Sequence, residues 1–243
     1  MPDSTSARIT DAAPAAREVR GTSGPPVAGW LERIVRSKAV AVTALVLPGL
    51  WPAWPIVNQD PSVLADPGEY LLHHLGFVAC VLLAVVLTFT PLRVLFPRWR
   101  AAVALNRHRR LVGVTVFVYA ALHFVMYLIY EGGFGKLASD IGKPFILSGT
   151  VALGILFALT ITSVDRAVRA LGARRWKHLH RLVYLGAALA AYHQIDASKV
   201  FPLQVVWIFG PMLVLQGARI VKRFVRSDPA PPPRVPQIGS PKT

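Results

Sequence analysis

Three histidines in apolar stretches are the residues of this 243-residue chain best suited to chemistry. His123 lies in one stretch, and His180 and His193 lie in another. Side chains that can titrate are costly inside hydrocarbon and persist there mainly where they have a function. Neutral imidazoles that project from the helices of a bundle are standard axial ligands of haem iron. The three histidines therefore predict a membrane protein that holds haem and carries electrons.

The apolar stretches around these histidines belong to a set of six, and each is long enough to cross a bilayer as a helix, which takes about 20 apolar residues. The chain is 53% hydrophobic and only 16% charged. The six stretches occupy residues 39–57, 70–90, 111–130, 145–164, 178–195 and 200–218. Prolines inside them are tolerated in lipid where neighbouring groups satisfy the freed carbonyls. The pattern predicts an all-α membrane protein with a bundle of six transmembrane helices.

The net charge of +15 reflects membrane topology and does not require nucleic acid as a partner. Of the 27 basic residues, six lie in each of four segments: the N-terminal tail, the loops after the second and fourth spans, and the C-terminal tail. The alternate loops carry only three, Lys136, Lys143 and Lys199. Because Lys and Arg are retained on the cytoplasmic side, both termini and the two Arg-rich loops are expected in the cytoplasm.

The depth of the histidines predicts which of them meet. His123 lies twelve residues into the third span, counted from Leu111, and His193 lies eleven residues into the fifth, counted from Leu182. At a rise of 1.5 Å per residue, both sit roughly 17 Å along parallel helices. This matched depth predicts one haem held between His123 and His193. The alternative is two core histidines that only bond to neighbouring carbonyls.

His180 is the candidate for a second cofactor nearer the cytoplasm. It precedes His193 by thirteen residues, which places it roughly 20 Å lower on the same helix and about 140° away around the helix axis. A kink near Gly186 or a tilted ring would reconcile this angle. His178 would be only about 60° away from His193, and spacing alone does not choose between His180 and His178. The third span carries Arg109 and Arg110 at the matching depth, with no histidine, so an inner haem lacks a clear second ligand.

Three further residues are candidates for cofactor binding. His73 begins the second span at the outer surface, where it could contact the outer cofactor or a quinone, or serve only as an interfacial residue. Arg109 and Arg110 are first of all topology determinants. Their guanidinium groups also match the oxygens of a flavin phosphate or of haem propionates.

Residues 1–37 and 225–243 are expected to be disordered cytoplasmic tails on either side of the transmembrane domain at residues 38–224. The first tail is rich in Ala, Ser, Pro and Arg, and the second is rich in Pro. Neither tail contains the apolar run that a packed core requires. The sequence also lacks the Gly-rich fingerprint of a dinucleotide-binding domain, so electrons must come from a separate protein or from quinol.

A series of short motifs resembles the MsrQ family, the haem-binding membrane subunits of the bacterial periplasmic methionine-sulfoxide reductase system. The resemblance runs from about residue 39 to 222, and MsrQ is itself similar to the transmembrane domains of ferric reductases and NADPH oxidases. The motifs are Ala65-Asp66-Pro67 with His73, Thr90-Pro91-Leu92, Arg109-Arg110-Leu111-Val112-Gly113, Ala121-Leu122-His123, Lys143-Pro144-Phe145, and Trp176 to His180 with Arg181-Leu182-Val183-Tyr184-Leu185.

The resemblance implies a multi-pass protein of the bacterial inner membrane that acts as the electron-transfer subunit of an oxidoreductase complex. Its donor would be the quinone pool or a cytoplasmic flavin reductase. Its acceptor would be a periplasmic molybdopterin subunit that repairs methionine sulfoxide in oxidised proteins. The family's ligand histidines correspond to His123, His180 and His193. One or two b-type haems are implied, and FMN is an alternative at the inner position.

Two other classes of protein were weighed against the electron-transfer subunit. A stand-alone transmembrane ferric or cupric reductase would ordinarily carry a fused flavin domain, which this sequence lacks. A haem-free transporter would be expected to carry acidic residues within its spans, and no Asp or Glu lies in the middle of one.

Overall fold

A computed structural model describes residues 33–34, 36–197 and 203–225 of the chain. Within these residues the fold is all-α, as predicted. In chain order the helices are α1 (Lys38–Leu50), α2 (Ala53–Val57), α3 (Pro61–Leu64), α4 (Pro67–Leu95), α5 (Arg100–Arg107), α6 (Arg109–Glu131), α7 (Gly133–Asp140), α8 (Pro144–Ile161), α9 (Asp165–Leu179), α10 (Leu182–Asp196) and α11 (Leu203–Val225). The two predicted tails lie almost entirely outside the described residues.

Four helices in the described part of the chain are long and apolar enough to cross a membrane: α4, α6, α8 and α11. The first predicted span is instead the 13-residue helix α1, which ends at Leu50 and is followed by the short helix α2. The fifth is the 15-residue helix α10. The structure therefore bears out four of the six predicted spans by length and composition.

The helices form two antiparallel pairs, α4 with α6 and α8 with α10, and α11 packs against α4. Small buried residues, including Ala79, Ala84, Ala152 and Ala187, allow the backbones to approach closely. Close approach matters in lipid, where helix association depends on van der Waals contact more than on the hydrophobic effect. We call the end of the bundle that carries Arg109 and Arg110 the basic end, and the opposite end the far end.

Two backbone carbonyls that prolines deprive of a donor are satisfied by side chains from other helices. Pro91 has no N–H to donate to the carbonyl of Leu87, and Gln216 Nε2 on α11 donates to that oxygen at 3.0 Å. Pro52 likewise leaves the carbonyl of Pro48 without its helical partner, and His74 Nε2 lies 2.7 Å from it. An unpaired carbonyl is costly in hydrocarbon, so these bonds hold α11 and α1 against α4.

The Gln216 bond leads to a stability prediction. Gln216→Leu should lower the free energy of unfolding by about 1–3 kcal/mol, because the buried carbonyl of Leu87 loses its only replacement donor. Adding Pro91→Ala restores a backbone N–H at position 91, so the double variant should recover most of the loss. Thermal unfolding in detergent measures both. Equal destabilisation with proline or alanine at position 91 would contradict the explanation.

The basic end carries two amphipathic helices, α5 and α9, that lie outside the main packing pairs. Helix α9 has no buried residue, and Gly172 interrupts it with φ 72°, a left-handed conformation that favours glycine.

Lys222 Nζ on α11 donates to the carbonyls of Val94 and Leu95, both at 2.9 Å. These two carbonyls belong to the last residues of α4 and accept no hydrogen bond from an N–H of the helix. The lysine therefore caps the C-terminus of α4.

Candidate functional site: two facing histidines

The structure brings His123 on α6 and His193 on α10 together. Their ring centres are 6.1 Å apart and their planes are nearly perpendicular, at 80°. Both side chains line a cavity of about 430 Å³ enclosed mainly by α4, α6, α8 and α10. The two histidines therefore face each other within one cavity of the bundle.

Each of these rings is oriented by a backbone carbonyl. His123 Nδ1 lies 2.9 Å from the Leu72 oxygen on α4, and His193 Nδ1 lies 2.6 Å from the Phe145 oxygen on α8. Because a carbonyl can only accept, each Nδ1 must carry the proton. Each Nε2 is then left with a lone pair, which is the arrangement of a metal-binding histidine held by its second ring nitrogen.

Two glycines make room for the rings. A Cβ atom at Gly76 would lie 2.9 Å from His123 Nδ1, and one at Gly149 would lie 2.7 Å from His193 Nδ1. Each glycine stands four residues after the carbonyl that holds the same ring. The α4–α6 pair and the α8–α10 pair therefore share one arrangement. In each pair a histidine packs against a glycine of the facing helix and hydrogen-bonds to the carbonyl one turn before that glycine.

The donor set and its spacing fit an iron porphyrin. A ligating imidazole nitrogen lies ~2 Å from its metal, and a ring with bonds near 1.33 Å adds about 1.1 Å from that nitrogen to its centre. Two imidazoles on opposite sides of one iron therefore have ring centres roughly 6 Å apart. The observed separation matches this value. Among the described residues no group of three or more His, Cys, Asp or Glu could hold a metal ion. These residues therefore fit haem iron better than a metal ion held by protein ligands alone.

His180 does not lie on the same helix as His193, which corrects the sequence-based placement. It follows the last residue of α9 as its C-cap, and α10 begins only at Leu182. The break between the two helices removes the 140° problem that a continuous helix would pose. The His180 ring stacks on Trp176 with centres 3.9 Å apart, and its Nε2 lies 3.4 Å from Thr162 Oγ1. His180 does not line the histidine cavity.

His73 lies at the far end of the cavity, and its side chain is largely exposed. Its Nε2 is 3.7 Å from Glu69 Oε1, one helical turn away. His73 lines the cavity but is not brought face to face with His123 as His193 is. Its neighbour His74 holds the carbonyl of Pro48, consistent with a structural role for that residue.

Arg109 and Arg110 lie at the basic end, away from the facing histidines. Arg109 Nη1 donates to Thr90 Oγ1 at 3.2 Å, which links the end of α4 to the start of α6. Arg110 Nη1 donates to Asp165 Oδ1 at 2.6 Å, which links α6 to α9. This hydrogen bond and the charge of the guanidinium lower the pKa of Asp165. Neither arginine lines the cavity. Arg109 lies close enough to His180 for its charge to act on that ring.

Several residues that shape this site were not singled out from the sequence: Gly76, Gly149, Leu72, Phe145 and Tyr127. The first four orient the imidazoles through backbone atoms and missing side chains, which leave no composition signal in a single sequence. The sequence offered one indication of these positions: a glycine lies on a neighbouring span at the same depth as each histidine. Tyr127 follows His123 by one helical turn and lines the same cavity.

Comparison with known proteins agrees with the all-α membrane fold. Residues 75–191 match the family model described as the ferric reductase like transmembrane component. This range contains His123, and His193 lies two residues beyond its end. The chain therefore contains a ferric-reductase-like transmembrane domain. It is also 33% identical over 196 residues to proteins of Brucella ovis and Brucella suis named protein-methionine-sulfoxide reductase heme-binding subunit MsrQ. The match covers 79% of this chain and 86% of each relative. The chain belongs to the MsrQ family.

Proposed function

We propose that this chain is the b-type haem electron-transfer subunit of a methionine-sulfoxide reductase system in the bacterial inner membrane. The observation that carries the proposal is the facing pair His123 and His193, in which each Nδ1 is hydrogen-bonded to a backbone carbonyl. That bond leaves the lone pair of each Nε2 available for a metal. The names of the Brucella relatives, which describe a heme-binding subunit of that reductase, support it.

Each residue of the site has a role in holding the haem. His123 and His193 would hold the haem iron through their Nε2 atoms, and the haem would supply one-electron transfer. The carbonyls of Leu72 and Phe145 increase the basicity of the imidazoles and hold their orientation. The deep wall of Leu83, Val116 and Leu156 keeps water out.

The proposed topology is six spans with the basic end in the cytoplasm and both termini on that side. The short helices α1 and α10 are the first and fifth spans. A 15-residue helix is only about 22 Å long, less than the ~30 Å hydrocarbon core, so local thinning of the bilayer would have to compensate. The segregation of Arg and Lys between the two ends supports this orientation.

The proposed partners lie on opposite faces. On the periplasmic side the acceptor would be a molybdopterin-containing catalytic subunit that reduces methionine sulfoxide in damaged proteins. Electrons would arrive from the quinone pool or from a cytoplasmic flavin reductase. His180, stacked on Trp176 beside Arg109, marks the position proposed for an inner cofactor, either FMN or a second haem.

The test follows electrons through the purified full chain in lipid nanodiscs. Addition of quinol, or of a flavin reductase with NADPH, should produce a reduced b-type spectrum. The periplasmic molybdopterin subunit together with methionine sulfoxide should then reoxidise it, and the two proteins should co-purify. Reoxidation by ferric or cupric chelates alone would instead support the stand-alone metal reductase. A colourless protein despite adequate haem supply would refute the proposal.

His180→Ala separates an inner cofactor from a structural histidine. If His180 serves electron entry, reduction by the donor should slow by at least about tenfold, a loss typical of removing a group that holds a cofactor. The haem content of the outer site should stay unchanged, because His180 does not line that cavity. Stopped-flow reduction with the same donor measures the rate. An unaltered rate would assign His180 a structural role only.

A further inference from the structure

The cavity that holds the facing histidines is polar at one end and apolar at the other. Towards the basic end its wall is formed by Leu83, Val116 and Leu156, each seven residues along its helix from Gly76, His123 or Gly149. Seven residues correspond to about 10 Å of helix. Towards the far end the wall contains Tyr70, His73, Tyr127, Gln194 and Gln204. The cavity is therefore amphipathic along the bundle axis.

Haem is amphipathic in the same way, with two propionates on one edge and methyl and vinyl groups on the other. A carboxylate placed against Leu83, Val116 and Leu156 would be desolvated without a partner, which is strongly unfavourable. The opposite orientation places the carboxylates at the polar wall. The cavity thus selects one of the two haem orientations, with the propionates towards the far end.

One buried hydroxyl at that wall has no hydrogen-bond partner in the part of the chain that the structure describes. This is the hydroxyl of Tyr127, which is inaccessible to solvent. A buried hydroxyl without a partner costs free energy unless a bound group satisfies it. Tyr127 lies one helical turn beyond His123 on α6, and both line the same cavity.

The charges of Asp140, Glu131 and Lys143 act on the Tyr127 hydroxyl. None of the described residues that line the cavity is Arg or Lys. Lys136 within α7 and Lys143, the N-cap residue of α8, both pair with Asp140, at 3.2 and 3.0 Å. Hydrogen bonding from a neutral donor is therefore the main means by which this wall can hold a carboxylate.

We propose that the polar wall is the propionate site of the haem and that the Tyr127 hydroxyl donates a hydrogen bond to one propionate. The inference rests on the proposed haem function and adds the orientation of the haem and a cofactor-binding residue. Tyr127 acts in binding and in setting the reduction potential, since its donor offsets part of the negative charge of the propionate.

The experiment pairs a variant with a modified porphyrin. Full-length protein expressed under haem limitation is titrated in nanodiscs with haemin and with haemin dimethyl ester, whose carboxylates are blocked as esters. Tyr127→Phe should weaken haemin binding by about tenfold or more, because it removes a hydrogen bond to a charged acceptor. With the ester the loss should be about threefold or less, because the acceptor is neutral.

The midpoint potential gives a second readout that does not depend on turnover. With haemin bound, Tyr127→Phe should shift the potential to a more negative value, because an unneutralised propionate disfavours the electron-rich ferrous state. The matched control is Tyr192→Phe, a half-exposed tyrosine next to His193 that does not line the cavity. It should leave both affinities and the potential unchanged.

The possible failures are distinguishable. Wild-type protein that binds no haemin would refute the proposed function and this inference together. Normal haemin binding that Tyr127→Phe does not change would refute the propionate site alone. Equal losses with haemin and with its dimethyl ester would also refute it, because the hydroxyl would then act on some other part of the ligand.

Discussion

His193→Ala and His123→Ala are each expected to lower haem content by at least about tenfold, since even outer-shell changes weaken metal sites by 10- to 100-fold. The two rings face each other at 6.1 Å and form the only facing histidine pair in the described part of the chain. Removal of either ring leaves one axial position without a nitrogen ligand. Any haem that remains should be high-spin, because one strong-field imidazole is lost. Pyridine haemochromogen assays and the visible spectrum measure content and spin state.

The control for the histidine variants is His178→Ala. His178 is exposed near the end of α9 and does not line the cavity, so its variant should retain full haem content. Expression and helix content should be equal in all three variants, because neither ring bonds to more than one backbone group in the structure. Normal haem content in both cavity variants would overturn the ligand assignment.

The depth of the histidines could be predicted from the sequence because the rise per residue of an α-helix is constant. Counting residues from the start of two apolar stretches placed His123 and His193 at the same height, and the structure brings their rings together. Counting worked for this pair because α6 and α10 are regular up to their histidines. It failed for His180, because the break between α9 and α10 falls between the two counted positions.

The first span shows why helix boundaries were less predictable than helix existence. Residues 39–57 are apolar throughout, and hydropathy alone predicts one continuous span. Pro52 and Pro55 remove two helical N–H donors, and α1 ends at Leu50. Whether a proline bends or ends a helix depends on which distant side chain can satisfy the freed carbonyl. The His74 bond to Pro48 is such a contact, and a single sequence does not reveal it.

The positions that orient the imidazoles were beyond prediction for a different reason. Gly76 and Gly149 act by the absence of a side chain, and Leu72 and Phe145 act through their backbone oxygens. Neither property changes with local hydropathy or charge. The chain contains 18 glycines, and only the register of α4 against α6 and of α8 against α10 identifies the two that matter.

Gly149→Ala tests this register directly and is expected to have the second-largest effect on haem binding. The new Cβ would lie 2.7 Å from His193 Nδ1 and 2.9 Å from its Cε1, so the ring must move away from Phe145 and from its ligating position. Haem affinity should fall about 10- to 100-fold, as for loss of an outer-shell contact. Alanine stabilises a helix relative to glycine by about 1 kcal/mol, so the substitution should not reduce the intrinsic stability of α8. Loss of haem without loss of helix stability is therefore the expected signature.

Gly154→Ala is the matched control for this prediction, because it introduces the same methyl group on the same helix where nothing lies within 4 Å. Gly76→Ala should reproduce the loss on the other side of the cavity, since its Cβ would lie 2.9 Å from His123 Nδ1. Haem titration and thermal unfolding of the four proteins separate binding from stability. If Gly149→Ala and Gly154→Ala bind haem alike, close approach of the ring to the helix is not what holds His193 in place. If both cavity glycines fail as alanine and Gly154→Ala does not, the repeated histidine–glycine contact is the element that positions both ligands.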